Sequence, residues 1–174
     1  MFQCFYPKKY LDSTYDIDFK KEYENGIRGV IFDVDNTLVP HGAPADERSR
    51  KLFQELKQLG IGTLLLSNNK EPRVKSFAEE VGSTYIFKAG KPSPVNYRKA
   101  MERLGTEENS TLFVGDQLFT DVWGANKAGI KSYLVKPIHP KEEIQIVLKR
   151  YLEKIVLFFY KRQVKKQGGN GDEQ

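Results

Sequence analysis

Five apolar runs alternating with four amphipathic stretches constrain this chain more than any other feature. The runs are 27–33, 62–67, 84–87, 111–115 and 131–135, and the amphipathic stretches cover about 45–59, 71–81, 93–104 and 120–128. Gly62-Thr63-Leu64-Leu65-Leu66-Ser67 and Thr111-Leu112-Phe113-Val114-Gly115 are almost continuously apolar, as strands covered on both faces are. Gly60, Gly82, Gly105 and Gly129 each follow one amphipathic stretch, at the position where glycine ends a helix with little steric cost. Strand and helix in alternation predict a parallel sheet with right-handed crossovers, an α/β Rossmann-like sandwich with helices on both faces. The strand order does not follow from the pattern.

A chain of 174 residues fits one such domain with a substantial core. Residues 1–26 are aromatic and polar with weak periodicity, and we expect a leader packed across the domain at 27–166. Pro140 suits the first position of a last helix, with Glu142 and Glu143 in its first turn. Residues 167–174 read as a polar, disordered tail. The lone Cys4 excludes an internal disulfide framework and fits a reducing compartment. The start lacks the layout of a signal peptide, and no run approaches the roughly 18 apolar residues that span a bilayer. We expect a cytoplasmic protein.

The chemistry concentrates at the ends of the apolar runs. Asp33-Val34-Asp35-Asn36-Thr37-Leu38 follows the first run. Residues i and i+2 share a strand face, so Asp33 and Asp35 converge just past the strand end, where open α/β sheets keep their ligand crevice. Two carboxylates so close demand a compensating cation or a shifted pKa. An acidic turn is the plainer reading of this stretch alone. Ser67-Asn68-Asn69 ends the second run and offers a hydroxyl beside a helix N-terminus, suited to an anion or simply to an N-cap. Lys91, in Gly90-Lys91-Pro92, offers an ammonium on a stiff turn. Gly115-Asp116 ends the fourth run, with Asp121 five residues further on. Four suitable groups at four consecutive strand ends are hard to explain as loop chemistry.

These motifs resemble those of the haloacid dehalogenase superfamily phosphatases. Asp33-Val34-Asp35-Asn36-Thr37 matches the family's DxDxT, Ser67 its second motif, Lys91 its third, and Gly115-Asp116 with Asp121 its fourth, collinearly over about 27–135. The resemblance implies that Asp33 attacks phosphorus to form an aspartyl-phosphate, and that Asp35 protonates the leaving alkoxide and then activates water. It implies Mg²⁺ held by the Asp33 carboxylate, the Asp35 carbonyl and the Asp116 carboxylate, with Asp121 beside them. Ser67, Asn68 and Lys91 would hold the phosphate, and Thr37 would fix the loop. Dehalogenases do not need an acid at the position of Asp35, so the resemblance favours a phosphatase. The gaps from Leu38 to Ser67 and from Asn69 to Lys91 leave no room for the cap domain many members carry. An open site suits a phosphate on something large, such as a lipid, a protein or a nucleic-acid end.

The remaining signal is basic and apolar. Net charge is +5, yet residues 149–166 alone hold seven basic side chains against Glu153, leaving the rest about neutral. Ile144, Val147, Leu148, Tyr151, Leu152, Ile155, Phe158 and Phe159 follow helical spacing, which predicts a stripe facing the core. Val156, Leu157 and Tyr160 fall off the stripe, so 155–160 is an apolar collar flanked by Lys154, Lys161, Arg162, Lys165 and Lys166. Two readings stand: a helix that only covers the sheet, and one that also touches an anionic membrane surface. Nucleic-acid binding is disfavoured, since no reading motif accompanies the charge. Tyr6-Pro7-Lys8-Lys9-Tyr10 and the form of the first motif resemble the YqeG-like branch of short, uncapped phosphatases, similar in turn to the phosphatidylglycerophosphate phosphatases of mitochondria. That resemblance implies a phospholipid head-group phosphate as substrate. A soluble phosphatase acting on a nucleotide, sugar phosphate or nucleic-acid end would share every catalytic residue. A non-catalytic binding module would have lost a motif residue, and none is lost. Oligomeric state is not legible. Trp123, His41 and His139 show no ligand-type clustering.

Overall fold

The structure, a computed structural model, describes residues 3–139 and 144–168, the side chains of 144–149 and 166–168 excepted. Six strands form one sheet: β1 (Lys9–Leu11), β2 (Gly29–Phe32), β3 (Gly62–Leu66), β4 (Thr84–Ile86), β5 (Thr111–Gly115) and β6 (Lys131–Val135). Every pairing is parallel, in the order β1-β6-β5-β2-β3-β4. The chain leaves β2 through β3 to β4, then crosses to β5 on the other side of β2. That reversal opens a crevice at the carboxyl ends of β2 and β5, the place where such sheets bind ligands.

The helices are α1 (Phe19–Glu24), α2 (Glu47–Gln58), α3 (Glu71–Val81), α4 (Val95–Leu104), α5 (Trp123–Lys127) and α6 (Ile144–Gly168). The expected helix at 120–128 instead begins as a π-helical turn, Leu118–Val122, and continues as α5. Asp46 starts α2 in a reciprocal capping box with Ser49. Gly82 and Gly105 close α3 and α4 in the left-handed conformation, φ 69° and 65°. No further domain is inserted between β2 and β4.

The sheet is buried on both faces, which explains its unbroken apolar runs. Val30, Phe32, Leu65 and Val114 meet Leu52, Phe53 and Leu56 of α2 and Val74 and Phe77 of α3. Ile31, Leu64, Leu66 and Phe113 point the other way, onto Tyr97, Ala100 and Met101 of α4 and Ala125 of α5. Each fully buried side chain of this size contributes roughly 1.5–3 kcal/mol.

Two elements depart from the sequence-based expectation. The leader contributes a strand: β1 adds an edge to β6, pairing Lys9 with Tyr133 and Leu11 with Val135. Three residues are too short to show a period. The second departure concerns α6. The stripe expected to face the core is exposed among the described side chains: Tyr151 at 62%, Leu152 at 53%, Ile155 at 54% and Phe158 at 61%. The off-stripe Val156 is the buried one, joining Leu118, Val122 and Leu134, with Phe5, Tyr6, Tyr10 and Leu157 packed around them. The buried neighbour is polar: Glu153 accepts from the Leu118 backbone at 2.8 Å. Periodicity identified a two-sided helix and assigned its sides the wrong way round. Ile144, Val147, Leu148 and Lys166 lie outside the described side chains, and Pro140, Glu142, Glu143 and 169–174 outside the described residues. Among the described residues no helix is long and apolar enough to cross a membrane.

A buried carboxylate secures the leader. Glu22 of α1 accepts from Lys9 at 3.0 Å, from Lys131 at 2.7 Å and from the Tyr133 hydroxyl. Burial pushes this carboxyl up, but the bonds from Lys131, Tyr133 and Lys9 outweigh it and hold it down to about 2, from an ordinary 4.5. Its stabilisation is therefore complete above pH 4.5 and drains as the pH falls toward 2. Glu22→Gln should cost about 2 kcal/mol at neutral pH, the worth of a broken buried pair reduced for the partial exposure of both lysines. Urea denaturation should also show a shallower loss of stability across the acid range in the variant than in the wild type.

Candidate active site

Asp33 is the first residue past β2 and continues its ladder, donating its N–H to Val114 at 3.0 Å. The chain then turns sharply. Leu38 N–H reaches Val34 at 2.9 Å and Asn36 N–H reaches Val39 at 2.8 Å. Asn36 takes φ 63°, a left-handed conformation that asparagine tolerates better than most residues. Thr14 and Tyr15 of the leader bond the Thr37 and Leu38 carbonyls at 2.8 and 2.7 Å, fastening the turn from outside.

Around this turn the sheet brings the expected groups together. A cavity of about 280 Å³ at the carboxyl edge is lined by Asp33, Asp35, Ser67, Asn68, Lys91 and Thr120, among others. A larger cleft of about 580 Å³, between the leader and α2, lacks this convergence of polar groups. Lys91 Nζ lies 2.7 Å from Asp33 Oδ1 and 2.7 Å from Asp121 Oδ1. Asp121 also accepts from the Gln117 backbone at 3.0 Å, within the π-helical turn. Gly115 is what admits it, since a Cβ there would stand 2.5 Å from Asp121 Oδ2. Thr37 Oγ1 donates to Asp116 Oδ1 at 3.2 Å, so the hydroxyl expected to fix the loop also ties it to the fourth motif. Asn68 accepts from the Lys91 N–H at 2.9 Å and donates to its carbonyl at 3.3 Å. Its side chain thus braces the lysine's peptide, while Ser67 Oγ receives the Asn69 N–H at 3.2 Å.

Three site residues went unread in the sequence. Arg73 of α3 donates to Asp35 Oδ1 at 2.9 Å, and Asn69 donates to Asp35 Oδ2. A signal for Arg73 existed: a cation in the first turn of a helix opposes the macrodipole and needs an anionic partner. Arg150 of α6 bonds both the carboxylate and the carbonyl of Asp116. Nothing local in the sequence marks that contact, which joins residues 34 apart. His41 lines the cavity. Trp123 packs on Phe5 at 5.1 Å, and the His139 N–H bonds Asn36 Oδ1 at 3.3 Å.

The electrostatics are those of crowded acids. Asp33 is pushed up to about 7, chiefly by burial, with Lys91 opposing and the carboxylates of Asp121 and Asp35 adding to the rise. Burial, Asp121 and Asp33 likewise raise Asp116 well above the usual carboxylate range, against the pull of Arg150. Burial pulls Lys91 down, but Asp121 and Asp33 more than reverse it. Carboxylate oxygens of Asp33, Asp116 and Asp121 lie within 4.8 Å of one another. A hard divalent cation fits this all-oxygen set and would offset the burial and the repulsion that raise Asp33 and Asp116. The Asp35 side chain stands apart from the set, so its expected part as a ligand rests on its backbone carbonyl.

Comparison with known proteins agrees with this geometry. Residues 42–129 match the model of a hydrolase family, haloacid dehalogenase-like hydrolase. The match contains Ser67, Lys91, Asp116 and Asp121 and begins after the Asp33–Leu38 turn. The chain is 35% identical over 159 residues to a probable phosphatase, YqeG, of Bacillus subtilis, covering 91% of this chain and 92% of that protein. It is 26% identical over 166 residues to phosphatidylglycerophosphate phosphatase 1, chloroplastic/mitochondrial, of Arabidopsis thaliana, covering 86% of this chain but 45% of that protein. A cobalt-bound deoxy-D-mannose-octulosonate 8-phosphate phosphatase of Haemophilus influenzae shares the fold at TM-score 0.52 and 19% identity, over 64% of this chain and 69% of that one.

If the three buried carboxylates bind a divalent cation, the cation should stabilise the folded state by mass action. Mg²⁺ added to chelator-treated protein should raise the thermal midpoint, and Asp116→Ala should abolish the rise. A midpoint indifferent to Mg²⁺ in the wild type would remove the metal site.

Proposed function

The chain belongs to the haloacid dehalogenase-like hydrolases and is a phosphatase, and from that premise we propose that it hydrolyses the phosphomonoester of a phospholipid head group, such as phosphatidylglycerophosphate, through an aspartyl-phosphate on Asp33. Asp33 ends β2 at the floor of the cavity, where its oxygen can attack phosphorus as the bond to the leaving oxygen breaks. Asp35, on the same strand end, gives its proton to that alkoxide. It then takes a proton from the water that attacks phosphorus and releases Asp33. Lys91 is placed to neutralise phosphoryl oxygens once Asp33 shares its ammonium with the substrate, and Ser67 offers a hydroxyl to the same group. Arg73 and Asn69 hold the Asp35 carboxylate at the rim. Asp33, Asp116, Asp121 and the Asp35 carbonyl would hold Mg²⁺, which when bound supplies charge neutralisation between the phosphate and the attacking carboxylate.

The observation that carries the substrate reading is the lack of an inserted domain over this cavity. Only α2 stands between β2 and β3, and only α3 between β3 and β4. With no inserted domain to close over a small metabolite, the strand ends are left to a substrate whose bulk stays outside. The similarity to an enzyme named for phosphatidylglycerophosphate supports the choice of lipid. On this reading the protein works at the cytoplasmic face of a membrane, bound at its periphery, with no role for nucleic acid.

Asp33→Asn should eliminate turnover in a protein that still folds. Asp35→Asn should slow it about 10²–10⁴-fold, the usual worth of a placed acid/base. That loss should shrink as the leaving group becomes a better one across a series of aryl phosphates. Equal losses across the series would argue against Asp35 as the acid.

The substrate is tested by phosphate release from phosphatidylglycerophosphate in detergent micelles, set against a panel of sugar phosphates and nucleotides. Lipid should lead in kcat/KM by at least tenfold. A soluble ester turned over faster would displace the lipid reading and leave the catalytic residues as assigned.

A further inference from the structure

We propose that the outward face of α6 is a docking surface for an anionic lipid bilayer. The inference deepens the substrate reading above and rests on it in taking a bilayer as the occupant. Tyr151, Leu152, Ile155 and Phe158 recur at helical spacing and are each more than half exposed, whereas Glu153 and Val156, on the opposite side, are buried at 5% and 4%. Among the described residues, the other side of this helix is the one docked on the domain, and the apolar stripe is left facing outward.

Charge identifies what it meets. Lys154, Lys161 and Lys165 stand seven and four residues apart, so they line one edge of the stripe, and Arg162 continues its far end. All four side chains belong to exposed residues. A protein partner would need acidic groups spaced to match this edge. A bilayer carrying anionic lipids offers diffuse negative charge at the level of the basic groups and hydrocarbon just below, the layering this helix displays. Lys154 rests near the Tyr151 ring at 4.9 Å, which keeps its ammonium at the margin of the apolar face, while Lys161 leans over Tyr10 at 5.4 Å, where α6 meets the leader.

The helix is also fastened where docking would matter. Arg150 bonds Asp116 and Glu153 bonds the Leu118 N–H, both in the loop after β5 that borders the cavity. Further along, Tyr160 meets Tyr6 at 5.3 Å. A surface that holds α6 therefore holds the mouth of the site through two buried contacts.

The test uses the full chain and sedimentation with vesicles of phosphatidylcholine, with or without phosphatidylglycerol. Wild type should sediment with the anionic vesicles and stay in solution with the neutral ones. Lys154→Gln/Lys161→Gln/Lys165→Gln should weaken binding about fivefold per residue, on the order of 100-fold together. Leu152→Gln/Ile155→Gln/Phe158→Gln should also release the protein. Both variants should hydrolyse p-nitrophenyl phosphate at the wild-type rate, which shows them folded. Wild type that ignores anionic vesicles, or variants that sediment as it does, would overturn the proposal. So would a lipid-free dimer that the apolar variant dissociates, since the face would then belong to a second copy. Because sedimentation is read without turnover, docking on vesicles stands or falls separately from phosphate release in micelles.

Discussion

Crowding of negative charge at the carboxyl edge is the constraint that organises this molecule. Asp33, Asp35, Asp116 and Asp121 are all nearly or fully buried. Such a cluster is tolerable only with cations placed against it. Three distant parts of the chain supply them: Lys91 from the turn after β4, Arg73 from α3 and Arg150 from α6. Each cation ties its own element to the site, so α3, α6 and the turn after β4 are all held at this edge by the carboxylates gathered there. Asp33 is raised all the same, because burial prevails over a lysine 2.7 Å away.

The loop after β5 is where this balance meets the rest of the structure. Its π-helical turn sets Asp121 toward Lys91, with Tyr97 of α4 bonding the Thr120 carbonyl at 2.8 Å from behind. Gly124 leaves room for Tyr97, since a Cβ would stand 2.5 Å from its hydroxyl and 2.6 Å from its ring. Turns of this kind are uncommon and concentrate at functional sites, because an extra residue per turn re-aims a side chain that a regular helix would direct elsewhere. The price is a segment whose geometry depends on three neighbours, α4, α6 and β5, all staying in place.

How much of this could be read in advance varies with the range of the interaction. β2, β3, β5 and β6 were legible because they are largely buried on both sides and bounded by turn residues, and the short edge strand β4 was legible from its run between turn residues. Asp33, Ser67, Lys91 and Asp116 were legible as a set because each follows a strand, and parallel strands put their ends on one edge. The π-helical turn was not, since the composition of Leu118–Val122 is that of an ordinary helix. Arg73 was half legible from its place in a helix's first turn. Arg150 was not, because it sits within a long helix with no position to mark it, and only tertiary packing joins it to Asp116. The orientation of α6 failed for a related reason. Apolar spacing reports that a helix has two sides and is silent on which solvent each side meets, whether core, water or another apolar phase.

The edge strand in the leader has a consequence for how the molecule comes into being. β1 is made first, yet its strand neighbour among the described residues, β6, is made late, and Lys9 must wait for Tyr133. At ordinary rates of synthesis that delay is on the order of ten seconds. Throughout it the emerging chain carries Tyr6 and Tyr10 with their surface incomplete, because Leu134 and Val156 are not yet made, and Phe5 finds its ring partners only with Phe119 and Trp123. The central strands can assemble on the ribosome, but this flank cannot close until translation is nearly over. The two ends of the chain thus act as a clasp, fastened last, and a nascent protein stalled before β6 would present its aromatic leader to whatever chaperones attend it.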